Sequence, residues 1–112
     1  MANYCFVAPI LPGGDTRMKN WASEGIKNNK DHDQVMQEAG VTREQVWIQH
    51  TPMGDFAIAS LEVRDPKKAF EVLGSSKEPW AEQFRNHLKM AHGFDFSQPV
   101  PINEQVADWR RE

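Results

Sequence analysis

His50 and Asp55 are the pair of side chains with the clearest chemical use in this sequence. They flank Thr51-Pro52-Met53-Gly54, and if that tetrapeptide turns a β-hairpin, the two residues face each other across adjacent strands. An imidazole bonded to a carboxylate is a usable general base, because the carboxylate fixes its tautomer and raises its basicity. The same spacing fits a plainer arrangement. A hairpin tip can carry a surface ion pair while its aspartate hydrogen-bonds the loop backbone, and this is the weightier reading. His50 with Asp55 still makes the best catalytic candidate in the chain.

Other residue types that do chemistry are less well placed. His87 and His92 are five residues apart at a helix end, a poor spacing for two ligands on one face, and His92 reads as a cap on the helix C-terminus. In Asp31-His32-Asp33 the adjacent groups splay around the chain axis. Four histidines spread over 112 residues form no zinc signature, so no metal is expected. Cys5 lies among apolar residues with no base beside it and reads as packing rather than as a thiolate. Arg17 and Arg85, on the polar sides of their helices, could meet an anion but read first as solvated surface. Trp21, Trp80 and Trp109 read as anchors of the core or the tail. No cofactor is implied.

The elements that must position these groups follow from periodicity. Asn3 to Leu11 is strand-like, with Tyr4, Phe6, Ala8 and Ile10 on one side and Cys5, Val7, Pro9 and Leu11 on the other. Met18, Trp21, Ala22 and Ile26, then Val35, Met36 and Ala39, keep helical spacing as far as a stop at Gly40. They describe one helix bent near Asn28-Asn29, or two shorter ones. Gln45–His50 and Phe56–Val63 are the hairpin strands. Asp65-Pro66 starts a helix ending at Gly74, and another runs from Pro79 to Ala91. Phe94–Phe96 reads as a short final strand, and residues 103–111 as a short helix. The expected fold class is α+β, a ferredoxin-like β-α-β-β-α-β plait with an antiparallel sheet over residues 1–98. Residues 99–112 form a C-terminal extension packing on the domain or on a partner subunit.

Pairing sharpens the site. With a tight even-numbered loop, hairpin partners have numbers summing to about 105, and side chains alternate between faces. Val46, Ile48, Ala57, Ala59, Leu61 and Val63 then share the face suited to helices. Trp47, Gln49, Thr51, Phe56, Ile58, Ser60 and Glu62 share the other. In a lone α+β sheet that second face meets water and should be polar, yet it carries Trp47, Phe56 and Ile58. An apolar patch of this kind marks an interface or a ligand site. Two subunits pressing these faces together would cover it, leaving a mostly apolar pocket lined by Trp47, Gln49, Phe56, Ile58 and Ser60, with Tyr4 or Phe6 from the first strand. The competing arrangement is a single copy whose sheet is shielded by its own tail and Trp109.

The strand and helix order together with the doubly apolar sheet resembles the dimeric α/β-barrel superfamily. More narrowly, Thr51-Pro52-Met53-Gly54-Asp55 is similar to the hairpin turn of an uncharacterised bacterial branch. The resemblance covers residues 3–96 and implies a homodimer. Members of the superfamily include cofactor-free monooxygenases, haem-degrading enzymes, decarboxylases and cyclases, and no catalytic set of theirs maps onto these positions. A shared fold does not by itself supply a chemistry.

Bulk properties narrow the partners. A formal charge of −3 with scattered lysines and arginines lacks the basic stripe of a nucleic-acid binder. No apolar run approaches the ~20 residues of a membrane span. The first residues do not form a secretory signal, and a single cysteine fits a cytoplasmic protein. Two functions are therefore expected. One is a small dimeric protein binding an apolar small molecule in a sheet-lined cavity, with cofactor-free monooxygenase- or isomerase-like chemistry. The other is a non-catalytic dimeric binding or structural module.

Overall fold

The hairpin forms as the pairing rule requires. A computed structural model describes residues 2–96, 98 and 100–111. In it β2 (Val41–Thr51) and β3 (Gly54–Val63) pair antiparallel, with His50 opposite Asp55, Trp47 opposite Ile58 and Val46 opposite Ala59. The turn is held by the Thr51 hydroxyl, which donates to the Gly54 carbonyl at 2.6 Å and accepts from the Met53 amide at 3.1 Å. Gly54 sits at φ 120°, a region that side chains rarely adopt. A bulge near Thr42 shifts the register at the start of β2, and Val41 is thereby paired with Val63 on the inner face.

The first strand, β1 (Ala2–Pro9), pairs antiparallel with β3, giving a three-stranded sheet in the order β1-β3-β2. Four helices cover its inner face: α1 (Gly14–Trp21), α2 (Lys30–Ala39), α3 (Pro66–Ser75) and α4 (Pro79–His92). The core lies between them, built from Tyr4, Leu61 and Val63 of the sheet and Val35, Met36, Ala39, Ala69, Leu73, Trp80 and Ala81 of α2, α3 and α4. Three of the four helices, α2, α3 and α4, start or stop at residues suited to it. Asn29 accepts from the Asp31 and His32 amides, Asp65 caps α3 from the residue before Pro66, and Gly40 and Gly93 take left-handed conformations at C-terminal ends.

The stripe from Met18 to Ala39 resolves into two helices separated at Asn28, which has φ 52°. Between them Ala22–Ile26 is a π-helical segment. Its wider turn presents the Gly25 carbonyl to the indole of Trp80, which donates to it at 2.8 Å.

Four expectations are corrected. Phe94–Phe96 is not a strand, and the fourth strand of the expected plait is not formed by these residues. The Phe94 amide instead donates to the Leu88 carbonyl in closing α4, while the two rings pack edge to face at 4.9 Å. Described residues 100–111 carry no helix. They run extended past β1, where the Tyr4 hydroxyl donates to the Pro101 carbonyl and Asn103 donates to the Cys5 carbonyl. Cys5 is exposed rather than packed, because odd-numbered residues of β1 point to the uncovered face. Finally, the tail does not shield that face: Trp109 is 80% exposed, and Val7 and Trp47 stay about half exposed. Among the described residues no helix is long and apolar enough to cross a membrane.

Leu61 is buried on the inner face of β3, so Leu61→Ala leaves a core cavity and should lower the unfolding free energy by about 2–5 kcal/mol. Urea unfolding followed by tryptophan fluorescence measures this. A near-neutral result would mean that Leu61 does not face the helices.

Candidate functional site

Side-chain parity decides where the expected site residues go. The His50–Asp55 pair forms, with Nδ1 to Oδ1 at 2.8 Å. It lies at the hairpin tip, however, with the His50 side chain 76% exposed, and is not on the wall of the hollow beneath the sheet. Trp47, Gln49, Phe56, Ile58 and Ser60 share the outer face as expected. Tyr4 and Phe6 do not join them. They pair with Leu61 and Ala59, on the inner face, so the seven residues do not line one pocket. Tyr4 is core, edge-on to Phe70 at 5.0 Å, and burial pushes its phenol up from the usual value.

Phe6 lines a different hollow, between the inner face of the sheet and the helices α1 and α4 together with the π segment. Its floor is Phe6, Val46, Ala57 and Ala59, and its roof is Met18, Trp21, Ala22, Ile26, Phe84 and Leu88. The small side chains Ala57 and Ala59 create the room. The centre of a water-sized sphere can reach about 70 Å³ of it, space for roughly five waters or one small organic molecule. The titratable side chains on its wall are Glu44, His87 and His92.

Glu44 enters from β2 on the same parity as Val46 and does not stand alone. His32, buried in the first turn of α2, reaches its Oε1 with Nε2 at 2.9 Å and Asp33 Oδ1 with Nδ1 at 2.8 Å. With a carboxylate oxygen at each ring nitrogen, the arrangement favours the protonated ring, in which both nitrogens donate. The hydrogen bond to Glu44 is the main reason the His32 pKa is raised, against the opposing effect of burial. Trp80 meets the ring at 5.3 Å, edge to face.

His87 and His92 have the opposite character. His87 stacks on Trp21, with centroids 5.1 Å apart and planes within 11°. Burial lowers its pKa to about 4, with His92 and Arg17 adding like-charge repulsion. Its ring and Trp21 are shared with a shallower polar hollow on the outside, lined also by Arg17, Asn20, Glu24 and Asn86. His92 is held by a 2.9 Å bond from Nδ1 to the Pro9 carbonyl. A carbonyl only accepts, so the proton sits on Nδ1. Burial again lowers its pKa, while the bond to Pro9 opposes the shift. The expected C-terminal cap is therefore a tie between the end of α4 and the end of β1. Both rings reach one cavity, meeting edge to face at 5.7 Å.

Arg85 is also accounted for, donating to the Leu73 and Ser76 carbonyls at the end of α3. No group of three or more His, Cys, Asp or Glu side chains that could hold a metal is found among the described residues. Of the cavity's polar groups, Glu44 is the one the sequence pattern could have revealed. A carboxylate at an inward strand position demands a partner, and His32 lies on the apolar stripe of α2 with Val35, Met36 and Ala39. No protein family, curated protein or solved structure matches this chain.

The histidines make opposite contributions to stability. His32, with a raised folded pKa, stabilises below its ordinary value of 6.5 and loses that contribution as pH rises through the raised value. For His87 the unfolded chain binds the proton more readily, so stability is lost as pH falls from 6.5 through about 4. His87→Phe keeps a ring against Trp21 and removes the titration. Its melting temperature should therefore drop less between pH 7 and pH 4 than that of the wild type, as read by scanning calorimetry. Parallel curves would contradict a buried neutral His87.

Proposed function

We propose that this chain binds a small, mostly apolar molecule in the cavity beneath the inner face of the sheet and handles it without a cofactor, in the manner of an isomerase. The observation that carries this reading is the wall itself: aromatic and aliphatic side chains with three titratable groups among them, Glu44, His87 and His92. Few convergent polar groups in an apolar hollow are the usual composition of a small-molecule site. The histidines on the wall are lowered by burial while the one behind Glu44 is raised, a separation typical of sites that move protons. A cofactor-free oxygenation would use the same cavity. A purely binding role is favoured by the bonds that already occupy Glu44 and His92.

The quaternary part of the proposal is a homodimer formed through the outer sheet face. Val7, Trp47 and Cys5 remain exposed there beside the half-buried Phe56 and Ile58, and apolar faces of this kind are normally covered. The strand order β1-β3-β2 with every helix on one side is in keeping with a ferredoxin-like plait. In a dimeric α/β-barrel two such sheets meet, and the first strand's free edge here is flanked by the chain's own extension at Pro101 and Asn103.

Native mass spectrometry of protein purified gently from cells tests both parts. The expected spectrum is a dimer carrying a small additional mass, which Ala59→Trp removes by filling the cavity while leaving the dimer intact. A ligand retained by Ala59→Trp would place the site elsewhere. Trp47→Glu should weaken dimerisation by about tenfold or more; an unchanged dimer would exclude the outer face as the interface.

A further inference from the structure

We infer that His92 is the proton acceptor of the cavity, acting on a small enolisable carbonyl compound. This rests on the cavity being the ligand site and adds the reacting atom and the substrate class. The bond to Pro9 fixes the proton on Nδ1 at 2.9 Å, which leaves Nε2 with its lone pair. That nitrogen makes no hydrogen bond with any described residue. No buried side-chain nitrogen or oxygen of the described residues lacks both a partner and contact with open space. Nε2 therefore has open space beside it, and we assign that space to the cavity, whose wall includes His92.

The surroundings suit such a step. His92 is the last residue of α4, where the negative end of the helix dipole favours the imidazolium formed on accepting a proton. Burial keeps the resting ring neutral. The titratable groups around it are His87 from its own helix, Glu44 from β2 and, acting on His87, Arg17 from α1. Glu44 is turned toward His32, which it shares with Asp33, at 2.9 Å. His87 is neutral at pH 7, with one N–H that no described residue accepts.

In the step itself the C–H bond next to the carbonyl breaks. Its electron pair forms the carbon–carbon double bond of an enolate, the carbonyl π pair moves to oxygen, and the proton passes to Nε2. The polar side chain beside His92 on the same wall is His87. Return of the proton to the same carbon gives exchange, and return to a conjugated carbon gives an isomer. No oxidant, reductant or metal is needed. The room available, about 70 Å³, fits a ligand of one small ring.

Cyclopentanone is a suitable probe. Its deuteration next to the carbonyl in heavy water, followed by proton NMR with the full chain, should be accelerated by about a hundredfold over buffer. His92→Gln, whose amide can still donate to Pro9, should return the rate to that of buffer, as should Ala59→Trp by blocking the cavity. The wild-type rate should hold as pH falls past 6.5 and decline only at a lower pH, following the lowered value of His92. Acceleration that survives in His92→Gln would overturn the assignment. So would a rate that does not respond to pH across the acid range, a readout that stands even if the variant does not fold. If cyclopentanone shifts the amide signals of Val46, Ala57 and Ala59 without any faster exchange, proton transfer is excluded and the binding site stands. If it does neither, both fall.

Discussion

The architecture hangs on one register. Thr51 and Gly54 close the hairpin so that Ala57 lies across from Ile48, Ala59 from Val46 and Leu61 from Glu44. Side chains alternate with a period of two, so a slip of a single residue would exchange the two faces. Leu61 and Val63 would leave the core, and Trp47, Ile58 and Ser60 would have to pack under the helices. The cavity depends on the same register. It exists because two alanines, not larger residues, occupy the inward positions of β3 opposite Phe6 and Ala8 of β1 and Val46 and Ile48 of β2. The turn is thus the local cause of a feature that lies well inside the molecule.

Within that frame, the polar groups of the cavity differ by what backs them. An imidazole between two carboxylates gains more from their hydrogen bonds than burial takes away, and the His32 pKa is raised. An imidazole against an indole or a carbonyl gains less, and burial wins at His87 and His92. The same side-chain type is thereby shifted toward the protonated form behind Glu44 and toward the neutral form on the wall. Solvent water would level these differences; the apolar lining preserves them. Separation of this sort comes from packing, which is why it could not be read from the spacing of the histidines along the chain.

What was legible in the sequence had a local cause. The hairpin, its partners and the helix boundaries at Asp65-Pro66, Gly40 and Gly93 each follow from residues within a few positions of one another. The placement of β1 was not legible. Both of its faces are apolar, so parity within the strand cannot say which one the helices cover, and nothing local keeps Tyr4 and Phe6 off the outer face. The answer comes from a partner over fifty residues away, Ala59 opposite Phe6. His50–Asp55 shows the converse case: the contact was legible and forms at 2.8 Å, but its distance from any enclosed volume was not. Helical spacing gives no sign that His87 and His92 meet, yet their rings lie 5.7 Å apart while Nδ1 of His92 is tied to the Pro9 carbonyl.

The strand that does not form at Phe94–Phe96 is explained by the cavity. Phe94 packs edge to face on Phe6 at 5.2 Å, and Phe96 lies against Phe84 at 6.2 Å. Phe6 and Phe84 are themselves cavity walls, one from the sheet and one from α4. Residues with strand propensity have two competing uses, a backbone ladder or a ring cluster. The ladder is weakened at its first position because the Phe94 amide is engaged by the Leu88 carbonyl, while the cluster gains from two rings already in place. The resulting aromatic brace spans from β1 to α4 on the outside of the hollow. It ties together two walls of the hollow, and a site with its walls held in advance spends less of its binding energy on ordering them.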